Sequence, residues 1–155
     1  MSEPNESPEP PTIERSTEVD LDVDQVWQLI STARGWASWL VDEADVTVAP
    51  GEEGSALDDG RQRTVRVDSI IDRRQVSFSW WDRDDPGSAS RVQLEIVGLP
   101  SGGSRLEITE RFVGAATGVQ ATTAETAIRT CSIGARWEVK LLLLCVMALP
   151  SLVNA

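Results

Sequence analysis

Hydrophobic and polar side chains alternate along most of this chain, with the two-residue period that is typical of β-strands. The segment from Thr12 to Leu21 shows this alternation first, with Ile13, Arg15 and Val19 on one face. Turn dipeptides such as Pro50-Gly51 and Asp59-Gly60 then separate further alternating segments. The pattern predicts six more strands, near residues 44–49, 54–58, 62–72, 75–83, 90–98 and 104–113.

Three segments have the period of a helix instead. Asp22, followed three residues later by Gln25, forms a candidate capping box for the first of them. A second, short helix is predicted from about Ala33 to Val41. The last predicted helix begins near Thr122 and contains Leu141–Leu149, a stretch without a polar side chain.

The arrangement of these elements indicates the fold class. Only one face of each predicted strand is strongly apolar, so helices should cover the sheet on one side. A strand-rich chain that ends on a long apolar helix indicates a sheet wrapped around that helix. We therefore expect an α+β fold in which a curved antiparallel sheet encloses a cavity beneath its C-terminal helix.

Length and composition predict one domain between two tails. The chain has 155 residues, enough to bury roughly two-thirds of its unfolded surface. Residues 1–11 are rich in Pro, Glu and Ser and are predicted to be disordered. The predicted domain spans residues 12–149, and residues 150–155 form a C-terminal tail.

The charge and the apolar segments exclude several partners. A net charge of −11 argues against binding to nucleic acid or to an anionic membrane surface, since both require a basic face. No signal peptide is evident, and the apolar segment from Leu141 is shorter than the roughly 20 residues that span a bilayer. We expect a cytoplasmic protein.

The chain contains no histidine and no tyrosine. A Ser-His or Cys-His nucleophile pair and a histidine metal site are therefore excluded. Any acid–base chemistry would rest on Asp, Glu, Lys or an activated water. We expect no catalytic residue, no cofactor and no metal. The acidic clusters, including Asp58-Asp59 and Asp82-Asp84-Asp85, are interpreted as solvated surface because they lack the spacing of a calcium loop.

Six short motifs resemble the START-like (SRPBCC) superfamily. Within it they resemble the family named for homology to the activator of the 90-kDa heat-shock protein ATPase. They occur in the order of that family and extend over residues 12–149. The motifs are Val26-Trp27, Trp39-Leu40, Pro50-Gly51, Phe78-Ser79-Trp80, Gly103-Ser104-Arg105-Leu106 and Trp137.

The resemblance implies a helix-grip fold with a ligand cavity between the sheet and the last helix. It does not specify a function, because this superfamily includes lipid carriers, hormone receptors, cyclases and co-chaperones. This chain departs from the family at Glu52, where relatives have glycine, and at Glu110, where relatives often have histidine. It also departs at Leu141–Leu149, where relatives usually keep polar residues on the outer helix face.

The aromatic residues of separate elements are the candidates to line this cavity, although they could equally fill an ordinary core. The complete set of predicted lining residues is Trp39, Val76, Phe78, Trp80, Leu94, Ile108, Glu110, Phe112, Trp137 and Leu141.

Glu110 is the candidate polar group of the cavity. By alternation it shares the covered face with Ile108 and Phe112, where a carboxylate must be paired, protonated or directed into a polar cavity. One interpretation is that it orients a hydrogen-bond donor of a ligand. The other is an internal ion pair with Arg15, and the two residues together would then form the polar end of the cavity.

The segment Leu141–Leu149 predicts a contact with another protein. A helix that is apolar on all sides is expected to be buried on all sides. One side should rest on the sheet, and the other requires a cover. We expect a homodimer, a partner protein, or the residues after Pro150 to provide it.

Three functions are compatible with the sequence. The leading hypothesis is a module that binds a small apolar or amphipathic ligand. The second is a co-chaperone-like interaction domain. The third is an enzyme of the cyclase or dehydratase type that uses Glu110 or a neighbouring Asp, ranked last because the chain lacks histidine.

Overall fold

A computed structural model describes residues 12–113 and 136–146, which form seven strands and three helices. The elements, in chain order, are β1 (Thr12–Val19), α1 (Val23–Ile30), α2 (Ala33–Trp39), β2 (Glu43–Asp45), β3 (Glu53–Asp58), β4 (Arg61–Ile71), β5 (Gln75–Asp82), β6 (Asp85–Gly98), β7 (Ser104–Phe112) and α3, helical over residues 136–146. The predicted tails, residues 1–11 and 150–155, lie outside the described residues, as does the predicted start of the last helix.

The strands form one antiparallel sheet in the order β1-β7-β6-β5-β4-β3-β2. From β2 to β7 each strand pairs with the next one in the chain, which is the predicted meander. The first strand joins the sheet beside the last one. The fold is the expected helix-grip α+β fold: a curved sheet, two short helices after the first strand and a C-terminal helix.

The helix α3 packs on the sheet through residues spaced one helical turn apart. Trp137, Leu141 and Leu144 are buried, whereas the residues between them are more exposed. On the sheet, buried residues alternate along β7, as at Leu106, Ile108 and Glu110, whereas in β5 the five residues from Val76 to Trp80 are all buried. The space between sheet and helix is therefore the core of the domain.

The two short helices fit together because of local capping and one close contact. Asp22 caps α1 in the predicted capping box. Its carboxylate accepts the backbone N–H of Gln25 at 2.8 Å, and its own backbone N–H donates to the side-chain oxygen of Gln25 at 2.9 Å. Thr32 caps α2. A Cβ atom at Gly35 would lie 2.3 Å from the backbone oxygen of Gln28, so only glycine allows α2 to approach α1 this closely.

Two strands differ from the predicted bounds. The strand expected over residues 44–49 has only three paired residues, since the backbone after Asp45 folds into a loop in which Ala49 N donates to Thr47 O. The strand expected from residue 90 begins at Asp85, because the β5–β6 turn is tight and Asp82 pairs with Asp85. Neither difference changes the face on which a predicted site residue lies.

Candidate functional site

The carboxylate of Glu110 lies in the core between the sheet and α3. Glu110 follows Leu106 and Ile108 along the inward face of β7, and it is only 3% exposed. Its neighbours across the sheet are Ile13 in β1 and Val92 in β6. The register thus places an acidic group among apolar neighbours, as alternation along β7 predicted.

Three uncharged donors bind this carboxylate. The hydroxyl of Ser90 donates to Oε1 at 2.6 Å, and the indole Nε1 of Trp80 donates to the same oxygen at 3.1 Å. The indole Nε1 of Trp137 in α3 donates to Oε2 at 2.6 Å. A carboxylate has about four acceptor positions, so the donors among residues 12–113 and 136–146 leave one position on Oε2 unfilled.

The ion pair between Glu110 and Arg15 is not formed. Arg15 lies on the inward face of β1, but its guanidinium donates to the backbone oxygen of Glu14 at 2.8 Å and lies 3.8 Å from the carboxylate of Glu138 in α3. None of the ion pairs among the described residues includes Glu110. The polar end of the core therefore consists of Glu110 with indole and hydroxyl donors, and Arg15 lies apart from it at the β1 edge.

Aromatic rings fill the space next to Glu110. Trp36 and Phe78 have ring centroids 4.6 Å apart, Phe78 and Trp80 are 5.2 Å apart, and Trp80 and Trp137 are stacked at 6.3 Å. The other predicted lining residues are buried in the same core, apart from Phe112, which is partly exposed: these are Trp39, Val76, Leu94, Ile108 and Leu141. In this conformation the predicted lining residues contact one another.

A second buried polar cluster joins α3 to the end of α2 and to β3. The sequence analysis did not identify it. The Nζ atom of Lys140 donates to Asp58 at 2.8 Å and to the backbone oxygen of Leu40 at 2.5 Å. Arg63 Nε lies 3.6 Å from the other Asp58 oxygen, and the Arg63 guanidinium lies 4.3 Å from the centroid of the Trp80 ring. The cluster therefore cross-links α3, α2, β3 and β4.

The interpretation of Asp58 as a solvated surface residue is wrong, because Asp58 is only 4% exposed. The strand β3 places Asp58 on the same face as Ala56, which is also buried. Alternation from Ala56 was the signal that could have indicated an inward carboxylate. Its partner Lys140 is distant in sequence and had no comparable signal.

A surface groove of about 570 Å³ opens beside the Asp58–Lys140 pair. One wall is the α3 side, formed by Arg136, Val139, Lys140 and Leu143. The opposite wall is formed by residues 37–42 and by the turn at residues 58–59. Of the predicted lining residues, Trp39 borders this groove.

The outer face of α3 is apolar and exposed in the described part of the chain. Leu142 is 64% exposed, and Val139, Leu143 and Val146 are about half exposed or more. The predicted segment extends to Leu149, of which residues 147–149 lie outside the described ranges. Large apolar residues exposed side by side on one helix are unusual for a monomer surface.

Comparison with known proteins identifies the family. The profile of the family described as polyketide cyclase / dehydrase and lipid transport matches residues 10–140, which is most of the chain. This chain belongs to that family. The family is of the START-like (SRPBCC) type, so the expected membership in this superfamily is confirmed.

Solved structures show the same fold at low sequence identity. Protein BH1534 of Bacillus halodurans has a TM-score of 0.71 and 20% identity, over 90% of this chain and 97% of that one. CalU16 of Micromonospora echinospora has a TM-score of 0.67 and 19% identity, over 90% and 76% of the two chains. The Aha1 dimer of Colwellia psychrerythraea has a TM-score of 0.68 and 14% identity, over 89% and 96%.

Two further findings are negative. No curated protein sequence matches this polyketide cyclase / dehydrase and lipid transport family member. Within residues 12–113 and 136–146, no helix has the length and apolar character needed to cross a membrane.

Proposed function

We propose that this protein binds a small apolar or amphipathic ligand between the curved sheet and α3, with Glu110 accepting a hydrogen bond from the ligand. The observation that carries the proposal is the Glu110 carboxylate itself. It is buried, and within the described part of the chain its donors are all uncharged and leave one acceptor position on Oε2. A preformed site of this class is mostly apolar with a few placed polar groups.

A structural role alone gives a weak account of this carboxylate. Burying an acidic group has a large desolvation cost unless a cation or several strong donors compensate it. A purely structural core at this position would be more stable with an apolar residue that needs no donors. A role in binding, in which Glu110 accepts a hydrogen bond from an N–H or O–H group of a ligand, accounts for the buried carboxylate.

Trp137 is the residue that we expect to move when the ligand enters. Its indole holds Oε2 of Glu110 and stacks on Trp80, so in the present conformation the rings occupy the space beside the carboxylate. A ligand with its own donor can replace the Trp137 N–H, and its apolar part can replace the indole ring. The site then opens by a shift of Trp137 or of α3.

The first test is native mass spectrometry of the full chain as purified, without added ligand. A reproducible additional mass that is lost on denaturation supports the binding function and gives the class of the ligand. A chain that carries no additional mass is then titrated with N-phenyl-1-naphthylamine, an apolar fluorescent amine with one N–H donor. Absence of saturable binding in both experiments contradicts the proposal.

Substitutions then locate the site. Glu110→Gln should weaken binding of N-phenyl-1-naphthylamine by about fivefold, the loss expected when a neutral oxygen accepts the hydrogen bond in place of a charged one. Trp137→Phe should change the affinity, while Trp36→Phe serves as the matched control. Trp36 also donates its indole N–H to a backbone oxygen, that of Ile30, but it does not contact Glu110. If the two tryptophan substitutions changed the affinity equally, the probe would bind at a site away from Glu110.

The same Glu110→Gln variant separates the competing functions. In an enzyme of the cyclase or dehydratase type with Glu110 as the acid or base, this change should abolish turnover. In a binding module it should change affinity modestly. In a protein-interaction domain that docks through its surface, it should leave partner binding unchanged.

The exposed face of α3 favours a second function, association through this helix. Val139, Leu142, Leu143 and Val146 form an apolar surface that a second copy of the chain could cover. Aha1 of Colwellia psychrerythraea, which has the same fold, is described as a dimer. Sedimentation at micromolar concentrations tests this hypothesis, and a dimer should revert to monomer in a Leu142→Ser variant. A monomer at all concentrations contradicts it.

A further inference from the structure

The groove between α2 and α3 has walls of opposite charge. Arg136 and Lys140 lie four residues apart and thus on the same side of α3, with Val139 and Leu143 between and beyond them. On the opposite wall the exposed carboxylates are those of Asp42 and Asp59. Apolar groups of Trp39 and of the α3 wall lie in the same groove.

Neighbouring residues neutralise the charged groups of the two walls only in part. Lys140 uses two of its three N–H donors, on Asp58 and on the backbone oxygen of Leu40. Asp42 uses one oxygen to accept the backbone N–H of Asp59 at 2.9 Å. None of the ion pairs among the described residues includes Arg136, Asp42 or Asp59. One cationic and one anionic wall therefore remain available to a ligand.

We propose that this groove is a second ligand site, which binds a small zwitterionic amphiphile from solution. The anionic group of the ligand lies against Arg136 and Lys140, its cationic group lies against Asp42 and Asp59, and its apolar part lies on Val139 and Leu143. The volume of about 570 Å³ is in the range of small-molecule sites and is too small for a partner helix. The charge of the walls, rather than apolar area, determines which ligand is preferred.

This site differs from the interior site near Glu110 and does not depend on it. The described residues that border the groove include neither Glu110 nor any of the three residues that donate to it. A simple anion would meet Asp42 and Asp59 as well as the two basic residues. A simple cation would meet Arg136. Only a ligand with both charges matches both walls.

The test compares three monomeric amphiphiles that share a decyl chain: decyl sulfobetaine, decyl sulfate and decyltrimethylammonium. Calorimetric titration of the full chain should give the highest affinity for the sulfobetaine. Arg136→Gln should weaken the sulfobetaine and the sulfate by about three- to fivefold, the effect of one partly exposed charge pair, and leave the trimethylammonium unaffected or bound more tightly. Asp59→Asn should weaken the sulfobetaine and the trimethylammonium by a similar factor. Asparagine tolerates the positive φ of 52° at this position.

Three controls make the test decisive. Leu143→Ser should weaken all three amphiphiles about fivefold through lost apolar contact, whereas Ile71→Ser, at an exposed apolar residue of β4 that does not border the groove, should not. Glu110→Gln should leave sulfobetaine binding unchanged, even if the interior proposal fails. Equal affinity for the three head groups, no binding of the sulfobetaine, or a loss of its binding on Glu110→Gln would each overturn the groove proposal.

Discussion

Two carboxylates lie in the core formed by residues 12–113 and 136–146, and their partners differ in charge. Glu110 is 3% exposed and Asp58 is 4% exposed, so both have lost nearly all contact with water. Asp58 is bound by Lys140 at 2.8 Å and has Arg63 at 3.6 Å. Glu110 is bound by two indole N–H groups and one hydroxyl. Equal burial is thus compensated in two different ways.

The difference indicates two roles. At Asp58 the cations belong to β4 and α3, and the pair with Lys140 connects elements that are distant in sequence and holds the helix on the sheet. At Glu110 the donors are uncharged, and no cation among the described residues pairs with the carboxylate. We therefore regard Asp58 as structural and propose Glu110 as the ligand-binding carboxylate.

The two sites meet at one side chain. The Trp80 ring has the Arg63 guanidinium 4.3 Å from its centroid, and its indole N–H donates to Glu110 at 3.1 Å. A cation over the ring should make the indole N–H a better donor by electrostatic polarisation. Trp80 thus gives Glu110 an indirect contact with a positive charge without an ion pair.

The largest expected effect on stability comes from removing the Lys140 cation that pairs with Asp58. Lys140→Met keeps the length and apolar part of the side chain but leaves Asp58 with Arg63 alone. Breaking a buried ion pair typically costs about 3 kcal/mol or more, and we expect the free energy of unfolding to fall by about that amount. Urea denaturation followed by circular dichroism measures it. A loss below about 1 kcal/mol would contradict the structural role of Asp58.

The fold was largely predictable because its signals are local. Alternation identified the strands, and the Asp22–Gln25 capping box identified the start of α1. The inward direction of Glu110 also followed from alternation along β7. The bounds of β2 were not predictable, since they depend on where the loop after Asp45 leaves β3, which is a tertiary contact.

The partners of the buried charges could not be predicted, because pairing across the fold leaves no pattern in the sequence. Arg15 was a reasonable partner for Glu110, since both lie on inward faces of neighbouring strands. The register places Arg15 opposite Ile108 instead, and its side chain is directed to Glu138. Trp137, the partner that bonds Glu110 from α3, was predicted to lie in the core but not to donate to this carboxylate.

A smaller effect is expected at the second carboxylate. Glu110→Gln preserves shape, but its amide NH₂ group faces an indole or hydroxyl donor, so one buried donor loses its acceptor. This should lower the free energy of unfolding by about 2 kcal/mol, in the range for one unsatisfied buried group. Glu107→Gln is the matched control on the outward face of the same strand, where the pair with Arg105 is exposed. Its effect should be below about 0.5 kcal/mol. A stabilised Glu110→Gln variant would contradict this expectation, because it would mean that the three hydrogen bonds do not compensate the desolvation of the carboxylate.

One donor of Glu110 can be removed with less disturbance. Ser90→Ala deletes the hydroxyl that donates to Oε1 at 2.6 Å and that also accepts the Trp80 indole N–H at 3.0 Å. We expect a loss of about 1 kcal/mol, since Trp80 still binds the same oxygen. The slope of the urea transition should stay unchanged, because the deletion does not alter the surface exposed on unfolding. A loss as large as that of Lys140→Met would mean that the hydroxyl is the main support of the carboxylate.

The smallest expected effect is the coupling free energy between the Asp58 site and the Glu110 site. Its size decides whether the two sites are energetically independent. Lys140 and Ser90 share no hydrogen-bond partner, so the losses in the double variant should add to within about 0.5 kcal/mol. The path between them runs through Asp58, Arg63 and Trp80. Its two end steps are hydrogen bonds, from Lys140 to Asp58 and from Trp80 to Ser90, whereas the two Arg63 steps are electrostatic contacts at 3.6 and 4.3 Å. A larger coupling would mean that Arg63 and Trp80 transmit the charge state of one site to the other. Ligand binding at Glu110 would then alter how firmly Lys140 holds α3.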